Sequence, residues 1–144
     1  MNRANLLSEA DFAELLRFRD GLRRFMRWSE DEARAAGLTP AQHQLLLAIR
    51  GHDGDPTIGD VAAHLLLKHH STVELVDRAE RAGLIRRHPD PDDHRIVRLL
   101  LSAQGEGRLA DLSAAHAAEL TRLHDALRLP LLEGNLSLVT QFDV

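Results

Sequence analysis

The stretch 84-LIRRHPDPDDHRIVRLLLS-102 sets a stiff, acidic, proline-containing turn between two short segments that each carry arginines, Arg86 and Arg87 before it and Arg95 and Arg98 after it. On the return arm Val97, Leu99 and Leu101 alternate with Arg98, which places them on one face of an extended strand and the arginine on the other. The two arms therefore read as a β-hairpin. Pro89 and Pro91 lack the N–H that a ladder requires, and Asp90, Asp92 and Asp93 favour local side-chain turns, so residues 89 to 94 are expected to form the tip, with the arginines flanking it.

Working outward, helical spacing dominates on both sides. Ser8 with Asp11 reads as a cap and its partner, and Phe12, Leu15, Leu22, Phe25 or Met26 and Ser29 recur at three and four, which predicts one helix over 9 to 35 ended by Gly37. Thr39-Pro40 is an N-cap followed by proline at the first helical position, and Leu45, Leu46 and Ile49 give that second helix a core face before GHDGDP breaks it. Thr57 caps a short helix through Val61, Ala62 and Leu65. A longer helix runs from about His70 to Arg81, with Val73, Val76 and Ala79 inward, and Gly83 closes it. After the hairpin, Ser102 and Glu106 stand at what reads as a capping-box spacing, and Leu109, Leu112, His116, Leu120, Leu123 and Leu127 form a stripe, predicting a helix over 103 to 128. At most a short helix is expected in 131 to 144.

The fold class is thus mainly α with a small β-hairpin: a winged helix-turn-helix with long N- and C-terminal dimerisation helices. The chain, 144 residues with 44% hydrophobic content, is expected to form a single domain, with 38–102 as the winged core and 1–36 and 103–144 as the helical dimerisation region. A helix of such length is wider than a small domain, so the leucine stripe is read as packing in a homodimer. The chain has no cysteine, which excludes disulfides and thiolate metal sites, and no apolar run fit for a signal peptide or a membrane span, so a cytoplasmic protein is expected. Net charge is −4, unfavourable for a polyanion partner, yet from Lys68 to Arg98 seven Lys and Arg face six Asp and Glu. The acidic excess lies elsewhere.

A short helix, a tight connection and a second helix rich in small polar residues, followed by an arginine-flanked hairpin, suit DNA: the helix fits a major groove, and a cation at the hairpin tip can reach the minor groove beside it. At this point the sequence resembles the MarR family of bacterial transcriptional regulators, on the segments 37-GLTPAQHQLLLAI-49, 71-STVELVDRAERAGLIRR-87 and 90-DPDDHRIVRLLLSAQG-105. The resemblance implies a homodimer that binds pseudo-palindromic, double-stranded operator DNA, commonly as a repressor relieved by a small aromatic or anionic effector. Carried onto matching positions, it makes Arg95 the wing arginine that enters the minor groove and Asp93 its support. Ser71, Thr72, Glu74 and Arg78 fall on or near the recognition helix, His69 and His70 at its N-terminus, where the helix dipole already favours phosphate. Thr57 is placed to touch the DNA backbone, and His94 lies beside Arg95. Arg86 and Arg87 are read either as DNA contacts or as strand cations serving solvation or a surface ion pair. Position 74 carries Glu where the family commonly has a basic or neutral residue, and position 94 carries His where arginine is common.

An effector pocket, on the same resemblance, would draw on Phe25, Trp28 and His43. The nine histidines do not stand at metal-ligand spacing, and neither a metal nor a cofactor is expected. No nucleophile, base and orienter can be assembled, so the chain is read as a non-enzyme. The rival to DNA binding is a winged-helix protein-interaction module that does not bind DNA, motivated by Glu74 and the acidic total charge.

Overall fold

The computed structural model describes residues 7–126. Its elements are α1 (Glu9–Ala35), α2 (Pro40–Gly51), α3 (Ile58–Leu65), α4 (His69–Arg81), β1 (Ile85–Pro89), β2 (Val97–Leu101) and α5 (Ala103–Ala126). The chain divides into two compact units, residues 29–116 and the flanking segments 1–28 with 117–144. No helix among the described residues is long and apolar enough to cross a membrane.

The caps form as the sequence demands. Asp11 N–H donates to Ser8 Oγ at 3.3 Å, and the Asp11 carboxylate accepts from Ser8 N–H at 2.6 Å. Thr39 with Gln42 and Thr57 with Asp60 each make a complete reciprocal capping box. Gly83 takes φ +75°, a left-handed conformation open to glycine at no cost, and this lets Leu84 N–H reach back to Ala79 O at 3.0 Å and turns the chain into β1.

In the 29–116 unit, Leu45, Leu46, Val61, Val76, Ala79, Ile85 and Leu99 are fully enclosed in one core to which Ala33, Leu109 and Leu112 also belong. Leu109 and Leu112 were expected in a dimer stripe. They instead belong to the core of their own chain, where the start of α5 is held against Gly83 and Leu84 by Ser102 and Gly105. Ser102 caps α5, accepting from Gly105 N–H at 3.1 Å and donating to Gly83 O at 2.5 Å. The residue three after the cap is therefore Gly105, and Glu106, expected to complete a box, pairs with Arg50 at 3.3 Å instead.

The strands pair antiparallel with Ile85 opposite Leu101 and Pro89 opposite Val97. Hydrogen-bonded pairs alternate along this register, from Ser102 N–H to Leu84 O at one end to Asp90 N–H to Ile96 O at the other. Pro89 falls on a pair that exchanges no bonds, so its missing N–H costs the ladder nothing. That corrects the expected tip of 89 to 94: Pro89 ends β1, the connection runs from 90 to 96, and Arg95 stands within it rather than beside it. Val97, Leu99 and Leu101 share one face, of which Val97 is 41% exposed beyond the core while Leu99 and Leu101 are buried.

In the unit that holds 7–28 and 117–126, Phe12, Leu15, Leu16, Met26 and Leu120 are exposed. Phe25 and Trp28 stand with ring centroids 5.9 Å apart. Residue 127 and the segment 131–144, for which a stripe leucine and a short helix were expected, lie outside the described residues.

Candidate nucleic-acid interface

α3, its short connection and α4 form a helix-turn-helix, and β1 and β2 form the wing. On α4 the inward face is Thr72, Leu75, Val76 and Ala79. Thr72 was expected among the DNA-facing positions; it is fully buried, and its hydroxyl donates to Lys68 O at 3.0 Å, one turn back in the same helix. Val73, expected in the core, is only half-buried. The polar face is left to His69, His70, Ser71, Glu74 and Arg78. Lys68 at the N-cap makes no side-chain capping bond, so the first-turn N–H groups of α4 meet no capping side chain. An oxyanion is their natural complement. Thr57 accepts from Asp60 N–H at 3.1 Å, while the Asp60 carboxylate, held below its usual range chiefly by the Thr57 N–H, closes the box.

The wing tip is organised by two carboxylates. Asp90 accepts from Asp92 N–H and Asp93 N–H at 2.8 and 2.9 Å and from Arg98 Nε at 2.7 Å. Asp93 accepts from Arg95 N–H, Nε and NH2 at 3.1, 3.0 and 2.9 Å. The Arg95 side chain nevertheless remains 90% exposed: one edge of its guanidinium is gripped by Asp93 and the rest faces solvent. The Arg98 and Arg95 guanidinium groups respectively hold Asp90 and Asp93 below the ordinary carboxylate range. Both carboxylates thus stay ionised under all but strongly acidic conditions. His94 is exposed next to Arg95.

The base of the wing is tied on two sides. Arg87 donates to Asp77 at 2.6 Å and to Glu80 at 2.7 Å, bridging β1 to α4. Of the two readings left open for this residue the ion pair is the one seen, whereas Arg86 is exposed. On the other side His88 Nε2 meets the Asp55 carboxylate at 2.8 Å, Arg98 NH1 donates to Asp55 O at 3.2 Å, and Leu99 N–H donates to Pro56 O at 2.8 Å. Sequence reasoning read Asp90 as a side-chain turn of the tip, as its bonds to Asp92 and Asp93 N–H make it, but did not pair it with Arg98 and gave no role to Asp55. The alternation of β2 already set Arg98 on the outer face, but nothing in the spacing joins it to a carbonyl 43 residues away.

Of the expected pocket residues, Phe25 and Trp28 fall in one unit and His43 in the other. Phe25 and Trp28 line a cavity of about 440 Å³ with Arg17, Gly21, Arg24, Glu119, Arg122, Leu123 and Ala126. The repeat of 17, 21, 24 and 28 along α1 is one helical face, a signal present in the sequence that pointed to Arg17 and Arg24. His43 is not a member. It is buried in the 29–116 unit with its ring 4.7 Å from that of His116. His116 Nδ1 lies 2.7 Å from Leu112 O, and a carbonyl only accepts, so Nδ1 donates there, while Nε2 stands 2.7 Å from the Ser29 hydroxyl.

Burial first, and the neighbouring His116 second, push the His43 pKa below its ordinary value. The unfolded chain then binds more protons than the folded one as pH falls through about 6.5, so this contribution to stability is complete above that pH and is lost below it. Urea midpoints should fall between pH 7.5 and 5.5, and His43→Leu should flatten that dependence; an equal slope in the variant would remove His43 as its source.

Residues 36–96, the span from the end of α1 to the wing, match the sequence model of the MarR family. Over this span the chain is similar to the MarR family. Among curated relatives, the HTH-type regulator YsmB of Bacillus subtilis is 40% identical over 53 residues, covering 37% of this chain and 36% of that protein. The HTH-type transcriptional repressor MdtR of Bacillus subtilis is 28% identical over 86 residues, 60% of this chain and 55% of that one. The matched regions thus span between about a third and about half of those relatives. In fold the likeness is wider: AbsC, a MarR family transcriptional regulator from Streptomyces coelicolor, superposes with a TM-score of 0.71 over 92% of this chain and 91% of its own, at 21% identity. A MepR variant from S. aureus bound to an oligodeoxyribonucleotide gives 0.64 over 90% and 91% at 18%. CouR from Rhodococcus jostii bound to p-coumaroyl-CoA gives 0.67 over 84% and 86% at 22%.

Proposed function

We propose that this protein is a homodimeric, sequence-specific DNA-binding transcriptional regulator, a repressor released by a small ligand. The observation that carries the reading is Arg95, fixed by Asp93 at the tip of a doubly anchored wing and 90% exposed, in the same unit as a recognition helix with an exposed polar face. A MepR variant of the same fold binds an oligodeoxyribonucleotide. Arg95 enters the minor groove, where negative potential is concentrated. Ser71, Glu74 and Arg78 face the major groove, and His69, His70 and Thr57 meet phosphates. His94 and Arg86 add positive or donor groups along the wing. The exposed apolar residues of α1, Phe12, Leu15, Leu16 and Met26, supply the surface that a second copy covers. The cavity beside Phe25 and Trp28, with Arg17, Arg24 and Arg122 on its wall, has the size and charge for a small aromatic anion.

The test is fluorescence anisotropy on the DNA upstream of the protein's own gene and on a scrambled duplex, over a salt series, for wild type and Arg95→Ala. The upstream duplex should bind roughly 10³-fold tighter, and the slope of log affinity against log salt should shrink by about one in the variant. Equal, weak binding to both duplexes would leave the interaction-module reading in its place. Adding an aromatic carboxylate such as p-coumarate should then release the specific duplex.

A further inference from the structure

The outward face of α4 carries a carboxylate where a DNA-facing helix has most to lose from one. Glu74 and Arg78 are one turn apart, each 65% exposed, with Oε2 and NH2 at 3.6 Å. The other acidic residues of the helix, Asp77 and Glu80, are turned to the wing and neutralised by Arg87. Thr72 is buried. Arg81, also exposed, stands at the C-terminal end of the helix with its Nε on Asp77 O, which leaves in the middle of that face one acceptor-only group and one donor-only group, side by side.

Elementary chemistry limits what they can read. A carboxylate beside the phosphates is repelled unless it reaches a donor, and the only donors on major-groove base edges are cytosine N4 and adenine N6. Adenine sets its N7 acceptor next to that amino group, where it opposes a carboxylate, whereas cytosine offers a C–H there. A guanidinium is complementary to guanine O6 and N7. Four residues of helix rise about 6 Å, and base pairs are stacked every ~3.4 Å, so the two side chains reach bases one or two steps apart. We infer that Glu74 is the specificity-determining residue of the recognition helix, accepting from the N4 amino group of a cytosine, and that Arg78 reads a guanine one or two base pairs away. This rests on the DNA-binding reading above.

Selection from duplexes with randomised half-sites, followed by sequencing, separates the two. The full-length wild type should enrich a half-site with a cytosine and a guanine at that separation. Glu74→Gln, which gains a donor and so matches adenine N6 and N7, should replace the cytosine by adenine at that one position and leave the others unchanged. Glu74→Ala should flatten preference there by roughly tenfold or more, and Arg78→Ala should relax the guanine alike. Both residues are exposed and off the core, so these variants keep the fold. If the wild type enriches a half-site without cytosine, or if Glu74→Gln and Glu74→Ala enrich the same base by the wild-type margin, the inference is overturned while DNA binding stands. If the wild type enriches nothing, DNA-binding regulation itself is overturned and this assignment with it.

Discussion

Gly105→Ala should lower the stability of the protein by about 3 kcal/mol, the upper part of the range for adding a methyl group where none fits. A Cβ at Gly105 would run into the carbonyl oxygen of Leu84, with the Leu84 carbonyl carbon only 3.1 Å away. Neither partner can move cheaply. Leu84 O accepts from Ser102 N–H at 2.9 Å, Leu84 N–H is spent on Ala79 O at 3.0 Å, and Gly105 N–H is bonded to Ser102 Oγ. Parting α5 from the end of α4 would break or stretch the bonds from Ser102 N–H to Leu84 O and from the Ser102 hydroxyl to Gly83 O together. Gly107→Ala is the control: nothing lies within 4 Å of a Cβ at that position, in the same helix, so the variant should gain roughly 0.5–1 kcal/mol from the better helix former. Urea denaturation followed by far-UV circular dichroism reads both. A Gly105→Ala midpoint within error of wild type would mean that the close approach of α5 to Leu84 relaxes freely.

That approach also marks the limit of what the sequence discloses. Caps, helix ends and the hairpin are local: Thr39 and Gln42, Thr57 and Asp60, Gly37 and Gly83 act over three or four residues, and the elements they delimit appear where their spacing puts them. Arg95 and Asp93, two residues apart, were legible for the same reason. What a periodicity cannot say is which surface meets an apolar stripe. Leu109, Leu112 and Leu120 share one repeat, yet the first two are buried in their own chain and the third is half-exposed. Thr72 looked like a polar contact because composition does not reveal that its hydroxyl can be satisfied by the Lys68 carbonyl one turn back, leaving a methyl group for the core. Arg87, Arg98 and Asp55 acquire roles only through contacts of the strands with α4 and with the loop before α3, which bring together residues 7 to 43 positions apart. The pocket residues follow the same rule. Phe25 and Trp28 were one helical turn apart and stayed together, whereas His43, on another helix, found a partner in His116.

The second large effect concerns how the wing is held. Leu99→Ala should cost about 3 kcal/mol, the usual range for emptying a leucine site in a core that closes only partly. Leu99 is fully enclosed, and its N–H bonds to the carbonyl of buried Pro56, so β2 is pinned both by a side chain and by its backbone. Val97 lies on the same face of the same strand but 41% exposed, opposite Pro89 at the end of the ladder. Val97→Ala should change stability by under about 0.5 kcal/mol. The two also separate in function. Under conditions where Leu99→Ala is still folded, the Asp90, Asp93 and Arg95 contacts at the tip remain intact, but the base that aims them has lost its deepest anchor. Its affinity for specific DNA should therefore fall, and its salt slope should shrink toward that of Arg95→Ala, because a guanidinium that samples many orientations neutralises fewer phosphates on average. Val97→Ala should bind as wild type does. Thermal unfolding and anisotropy on the same two variants test both halves. Equal stabilities would show that the core does not hold β2 through Leu99. A destabilised Leu99→Ala with an unchanged salt slope would show that the wing is aimed by Arg87 and the Asp55 contacts alone.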